Sequence, residues 1–203
     1  MWDNAPWTPR RWQEEALPLA ISALREGKRP IISAIMGAGK SILIAELVYQ
    51  GLKKLRPDMK IVVVAPRQAL IRQLSKTIAG RCGTENVGVF FSDEKDLSKK
   101  VVITTFVSAP TVSKKVKVAM LVGDEVHGTE AEHFKSCYDE LNPSCAIGFT
   151  ATPYRADEKE TLSLWDDVVY RYSAADALND KVIVPWELIH WDGTGSSDVD
   201  DVC

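Results

Sequence analysis

The sequence has no excess of basic charge. Its 25 lysines and arginines are outnumbered by 28 aspartates and glutamates, giving a formal net charge of -3. A surface that neutralises a polyanion everywhere is therefore excluded. Any nucleic-acid contact must come from a local patch, with modest and salt-sensitive affinity. No run of about 18 apolar residues exists, so no membrane-spanning helix is expected. Residues 1–4 lack the basic-then-apolar layout of a signal peptide. Cysteine is scarce: Cys82, Cys137, Cys145 and Cys203 include no CxxC pair, and His127, His133 and His190 complete no zinc pattern. Free thiols in a reducing cytoplasm are expected. There is no internal repeat and no long low-complexity segment.

What is present fits one globular domain. The chain has 203 residues, 45% hydrophobic and 26% charged, enough for a sizeable core. Apolar strand-like runs alternate with helical periods. Helices are predicted at 11–26 (Trp12, Ala16, Leu19 and Ala23 on one face), 41–55, 68–79, 130–141, 157–165 and 174–179. Strands are predicted at 30–35, 61–65, 87–91, 101–105, 116–122, 145–150, 168–172 and 186–191. The continuous β-branched run at 61–65 marks a strand buried on both faces. This alternation implies an α/β fold, a mostly parallel sheet with helices on both faces and ligands at its carboxyl edge.

Ala34-Ile35-Met36-Gly37-Ala38-Gly39-Lys40-Ser41 follows one predicted strand and opens a helix. That is the context of a phosphate-binding loop, although Ala34 stands where the general pattern has glycine. Gly37 and Gly39 allow the turn that aims backbone N–H groups at phosphates, and the helix N-terminus adds partial positive charge. Lys40 is expected on the β/γ-phosphates of ATP and the Ser41 hydroxyl on Mg²⁺. A chance GKS in a glycine-rich turn is the competing reading.

The buried run 118–123 delivers Asp124-Glu125-Val126-His127. Asp124 is expected to hold Mg²⁺, usually through water, and Glu125 to orient and deprotonate the attacking water. Neighbouring strand side chains diverge, which lets the two carboxylates face different groups. Alone, the pair would read as a solvated acidic turn.

Asp124-Glu125-Val126-His127 resembles motif II, the DEVH box, of superfamily 2 helicases. Thr150-Ala151-Thr152-Pro153 resembles motif III, which in that family couples ATP hydrolysis to nucleic-acid movement. The same superfamily accepts alanine at the first loop position. Arg10-Arg11-Trp12-Gln13 resembles the Q-motif, which implies adenine recognition by Gln13 with Arg10 beside it; Trp12 could equally pack in the core. Residues 65–70, containing Arg67, resemble motif Ia. Thr104 and Thr105 sit where motif Ib-type phosphate contacts are expected, or are plain strand residues. Arg67 contacts nucleic-acid backbone or is a solvated helix-start charge. Thr150 and Thr152 are implied to be coupling residues that could hydrogen-bond towards Glu125 or His127, or are turn-forming threonines before Pro153. His127 is implied to couple domains rather than to bind metal, since no partner ligand spacing surrounds it. Tyr154-Arg155, 169–173 and Val184-Pro185 are similar to the branch of type III restriction motor subunits and phage or repair translocases.

The resemblance implies a RecA-like P-loop fold: a helicase ATP-binding domain at 1–191, with 192–203 starting a linker to a second RecA-like domain. ATP and Mg²⁺ are the implied cofactors. The implied partner is nucleic acid, DNA rather than RNA, with nuclease or methylase subunits by analogy only. The arginine-finger pattern of the second domain is absent, so these residues alone are expected to be weakly active or inactive. Alternatives are a restriction-type motor that translocates without unwinding, an unrelated P-loop NTPase (kinase or GTPase), and a non-catalytic module. No GTPase base-reading NKxD element and no arginine-rich kinase lid is present, and neither enzyme explains 150–153.

Overall fold

A computed structural model of the chain describes residues 1–127, 129–151 and 164–184. Its centre is an eight-stranded sheet. The strands are β1 (Pro30–Ala34), β2 (Met59–Ala65), β3 (Val87–Phe91), β4 (Glu94–Lys95), β5 (Val101–Thr105), β6 (Lys117–Asp124), β7 (Cys145–Thr150) and β8 (Asp167–Tyr172). Their spatial order is β4-β3-β5-β2-β6-β7-β1-β8. All pairings are parallel except β3 with β4. The helices are α1 (Arg11–Arg25), α2 (Lys40–Leu52), α3 (Gln68–Cys82), α4 (Ala109–Ser113), α5 (Thr129–Leu141) and α6 (Ala174–Asn179).

A sheet covered on both faces needs apolar residues at successive positions, and β2 shows why. Ile61, Val63 and Ala65 face α1, α2 and α3 with Leu43, Ile44, Ile71 and Leu74. Val62 and Val64 face the opposite layer of Phe106, Val112, Phe134 and Leu141. Strand period two thus divides one apolar run between two cores. Gly123 permits the second layer to close. A Cβ there would stand 2.3 Å from a Phe134 ring carbon and 2.4 Å from a Val126 methyl.

Most predicted elements form within a few residues of their expected limits. The face of α1 differs. Trp12, Gln13, Ala16, Leu17, Ala20 and Ala23 are buried, whereas Leu19 is 47% exposed. At about 100° per residue, Leu19 lies at the edge of the arc that these residues centre. The predicted helix at 157–165 falls outside the described residues except for Leu164 and Trp165, which are buried in a turn and an irregular stretch. The predicted strand at 186–191 and the linker at 192–203 lie wholly outside them. Neither β4 nor α4 was anticipated: one is two residues long and the other begins Ala109-Pro110. No described helix is long and apolar enough to cross a membrane.

Candidate active site

The sheet order sets the site. β1 ends at Ala34 and β6 ends at Asp124, with only β7 between them. Strands about 4.8 Å apart put those two ends roughly 10 Å apart, with Thr150 at the end of β7 between them. All three ends are carboxyl ends, on one edge.

After β1 the chain turns through Gly37 (φ 79°) and Gly39 (φ 94°), both in the region that favours glycine. Ala34 and Ala38 are buried, so a methyl group fits at the first loop position. The N-terminus of α1 grips this loop. Arg10 Nη1 donates to the carbonyls of Ala38 (2.7 Å) and Gly37 (3.2 Å). Trp12 Nε1 donates to Ala38 O (3.1 Å) and Gln13 Nε2 to Gly39 O (2.9 Å). In a trans peptide plane the N–H points opposite the C=O. Holding the Ala38 and Gly39 carbonyls towards α1 therefore turns the N–H groups of Gly39 and Lys40 to the loop's other side.

Gln13 is 1% exposed, and its amide oxygen accepts from Arg10 N–H at 2.8 Å. Both ends of its amide are engaged within the protein. Trp12, 1% exposed, packs in the core, as the second reading of it expected, and also hydrogen-bonds the loop. Its ring stacks on Tyr172 with centroids 5.1 Å apart, and Tyr172 O accepts from Ile35 N–H. Tyr170 and Tyr172 were missed as supports of this loop. Their signal was two tyrosines at alternate positions of one strand.

Lys40 opens α2 and is nearly buried, and Ser41 is half-buried in the same turn. Lys40 Nζ donates to Glu125 Oε1 at 2.7 Å. Glu125 is no longer a strand residue. Its φ of 56° is left-handed, a conformation costing roughly 1–2 kcal/mol outside glycine. Val126 N–H then donates to Phe149 O and His127 N–H to Glu125 O. The two carboxylates diverge not by strand alternation, as expected, but through this turn after Asp124, which separates them and aims Glu125 at Lys40.

Asp124 is 5% exposed and accepts from the Glu125 N–H at 3.1 Å. Burial raises its pKa from about 3.8 to about 6, Lys40 opposes that rise, and Glu125 adds to it. Glu125 Oε2 is buried and accepts no hydrogen bond. His127 Nδ1 lies 3.3 Å from it, yet the same nitrogen shares a 2.9 Å hydrogen bond with Thr150 Oγ1. The shorter contact sets the ring, and Oε2 stays an orphaned acceptor beside the lysine.

Other predicted residues fall elsewhere. Arg67 is exposed just before α3, past the end of β2. Thr105, at the end of adjacent β5, receives the Ser108 N–H on its hydroxyl. Thr104 is wholly buried and its hydroxyl donates to Phe90 O at 2.6 Å; it ties β5 to β3 inside the sheet. Thr152 lies outside the described residues.

No group of three or more His, Cys, Asp or Glu among the described residues could hold a metal by itself. A divalent ion here would need substrate phosphates and water as further ligands, which is the habit of Mg²⁺. The buried Asp124 carboxylate and the Ser41 hydroxyl fit that use.

The family model of the type III restriction enzyme, res subunit, matches residues 7–155. The putative ATP-dependent helicase IRC3 of Saccharomyces cerevisiae is 24% identical over 190 residues, covering 85% of this chain and 27% of that protein. The DNA 3'-5' translocase XPB2 of Sulfurisphaera tokodaii is 29% identical over 175 residues, covering 83% and 37%. This chain thus spans between a quarter and two fifths of these relatives' length. The Sulfolobus solfataricus SWI2/SNF2 ATPase core, solved with dsDNA, superposes with a TM-score of 0.65 at 19% identity, covering 78% and 36%.

Proposed function

Since this chain belongs to the family of the type III restriction enzyme res subunit, we propose that it is the ATP-binding lobe of a superfamily 2 DNA motor. The observation that carries the reading is the 2.7 Å contact between Lys40 and Glu125. It brings the phosphate loop and the acidic box together at one edge, with an unsatisfied carboxylate oxygen beside them.

Lys40 exchanges Glu125 for the β/γ-phosphates when ATP enters, and the N–H groups of Gly39 and Lys40 complete the cradle. Freed from the lysine, Glu125 takes the proton of the attacking water. The water oxygen bonds to the γ-phosphorus as its bond to the β-phosphate oxygen breaks, and ADP leaves. Ser41 and Asp124 would hold Mg²⁺, which neutralises charge on the phosphates. Arg10 and Gln13 keep the loop in its receiving shape. His127 and Thr150, with Thr152, relay the state of Glu125 to moving parts. Arg67 and Thr105, at neighbouring strand ends, lie along a nucleic-acid track.

Duplex DNA is favoured over RNA because one relative is a DNA translocase and one structural neighbour was solved with dsDNA. Residues 1–191 form the ATP-binding domain, and 192–203 lead towards a second RecA-like domain. Three described cysteines are free thiols, which suits the cytoplasm. Movement without strand separation, as in a restriction-type motor, remains the second reading, favoured by the family match.

The test is DNA-stimulated ATPase activity of the full-length protein. Glu125→Gln should lower kcat by on the order of 10²–10⁴ with ATP still bound, and Lys40→Ala should abolish nucleotide binding. Stimulated hydrolysis that survives Glu125→Gln would remove the reading.

A further inference from the structure

The amino edge of the sheet, remote from the site, carries a concentration of lysines that the motor reading does not use. Lys60 and Lys100 precede paired residues Ile61 and Val101 of β2 and β5. Lys117 opens β6 opposite Met59. Lys99 adjoins Lys100, and Lys114 and Lys115 stand exposed on the loop before β6. Asp58, Lys60 and 113–117 line a shallow cavity of about 450 Å³. Along β6, Lys117 and Asp124 are separated by roughly 23 Å of strand, so this edge is not part of the ATP site.

Few acids offset the cluster. Among the described residues, Asp58 lies 3.9 Å from Lys117, and Asp96 feels Lys99 and Lys60. Six lysines against two aspartates leave an excess of four positive charges in a chain whose total is -3. Lys60 donates to the carbonyls of Ser98 and Lys99, and Lys100 to that of Pro57. Burial and the nearby Lys100 hold the Lys60 ammonium below its ordinary pKa. The fold thus keeps like charges crowded at a cost in free energy. Lysines at helix C-termini complement the helix dipole, which accounts for Lys53 and Lys54 after α2 and applies to Lys114 and Lys115 at the end of the short α4, but not to Lys60, Lys100 and Lys117 at the strand starts.

Resting on the reading above, we propose that this amino edge is a second contact for the phosphate backbone of duplex DNA, separate from the carboxyl-edge track. Duplex DNA carries a charge about every 3.4 Å on each strand. A row across three β-strands, about 10 Å wide, therefore meets roughly three phosphates per strand. Lysine supplies compact point charges, which suit a row of evenly spaced phosphates without fixing a bidentate geometry. The cavity between the strand starts has no aromatic lining, and lysine is depleted at protein interfaces. Phosphate backbone fits these features better than an acidic protein does.

The test is binding of a fluorescent 30-bp duplex to full-length protein, without nucleotide, across a salt series. The variant is Lys114→Gln/Lys115→Gln/Lys117→Gln, with Lys114→Glu/Lys115→Glu as a second set and ATP binding as the check of folding. Loss of about three contacts should flatten log K against log salt by about 2–3. Affinity at moderate salt should fall on the order of 10-fold. An unchanged slope with ATP binding intact overturns the proposal. If Arg67→Ala weakens binding while the lysine variants do not, DNA lies on the carboxyl edge alone and the motor reading stands. If neither weakens binding and DNA does not stimulate the ATPase, the motor reading falls too. Polyglutamate competing as well as duplex, charge for charge, would assign the edge to an acidic protein and overturn the DNA assignment.

Discussion

Asp124 and Glu125 are adjacent in sequence and have different surroundings. Asp124 is held in the sheet end where burial penalises its charge; Glu125 turns out through a left-handed residue to meet Lys40. The carboxyl of Asp124 titrates near 6 when folded against about 3.8 for the free group. An acid raised in the folded state costs stability when ionised, so its contribution worsens as pH rises from about 4 to 6 and is constant above that. Asp124→Asn removes a cost of up to about 3 kcal/mol at neutral pH. Without metal or nucleotide, its thermal midpoint should rise by several degrees at pH 7.5, and the gain should shrink to little near pH 4. A gain of equal size at both pH values would show that charge burial is not the cause. That the loop and the acidic box would serve one site was legible in the sequence; the direct Lys40–Glu125 contact and the left-handed turn were not, because φ > 0 at a glutamate comes from the closure of Val126 onto β7.

At the scale of elements, α2 and α3 are joined by an ion pair no motif announced. Arg81 Nε donates to Glu46 Oε2 at 2.6 Å, with the side chains 2% and 0% exposed, and Arg81 lies over the Tyr49 ring. Removing one partner strands the other charge. Arg81→Ala should cost about 3–5 kcal/mol in urea unfolding, and Arg81→Met with Glu46→Leu much less. Equal losses for the single and double replacements would count against an ion-pair origin. Pairs 35 residues apart have no local sequence signature, whereas α2 itself was announced by the loop that starts it. Leu19 shows the same limit: period counting found α1, but the strands beneath it chose which arc is covered.

At the scale of the molecule, one sheet edge gathers the loop lysine and the acidic box, and the other gathers six lysines. The described residues offer ATP one face only. In other nucleotide hydrolases an arginine from a facing element contributes about 10³–10⁵ in rate. The 203-residue chain alone is therefore expected to turn over ATP well below ~1 per second, even with duplex DNA present. Phosphate release at or above that rate would show that these residues need no facing lobe.

The sequence by itself determined the alternation of strands and helices, the phosphate loop and the acidic box. Each is encoded in residues close along the chain, where periodicity, glycine and helix starts act locally. Tertiary structure alone decided that β7 would separate β1 from β6, that Gln13 and Trp12 would hold loop carbonyls, and that lysines from three separate segments would share one edge. Those outcomes depend on how strands order themselves in the sheet, and strand order is set by packing both faces at once.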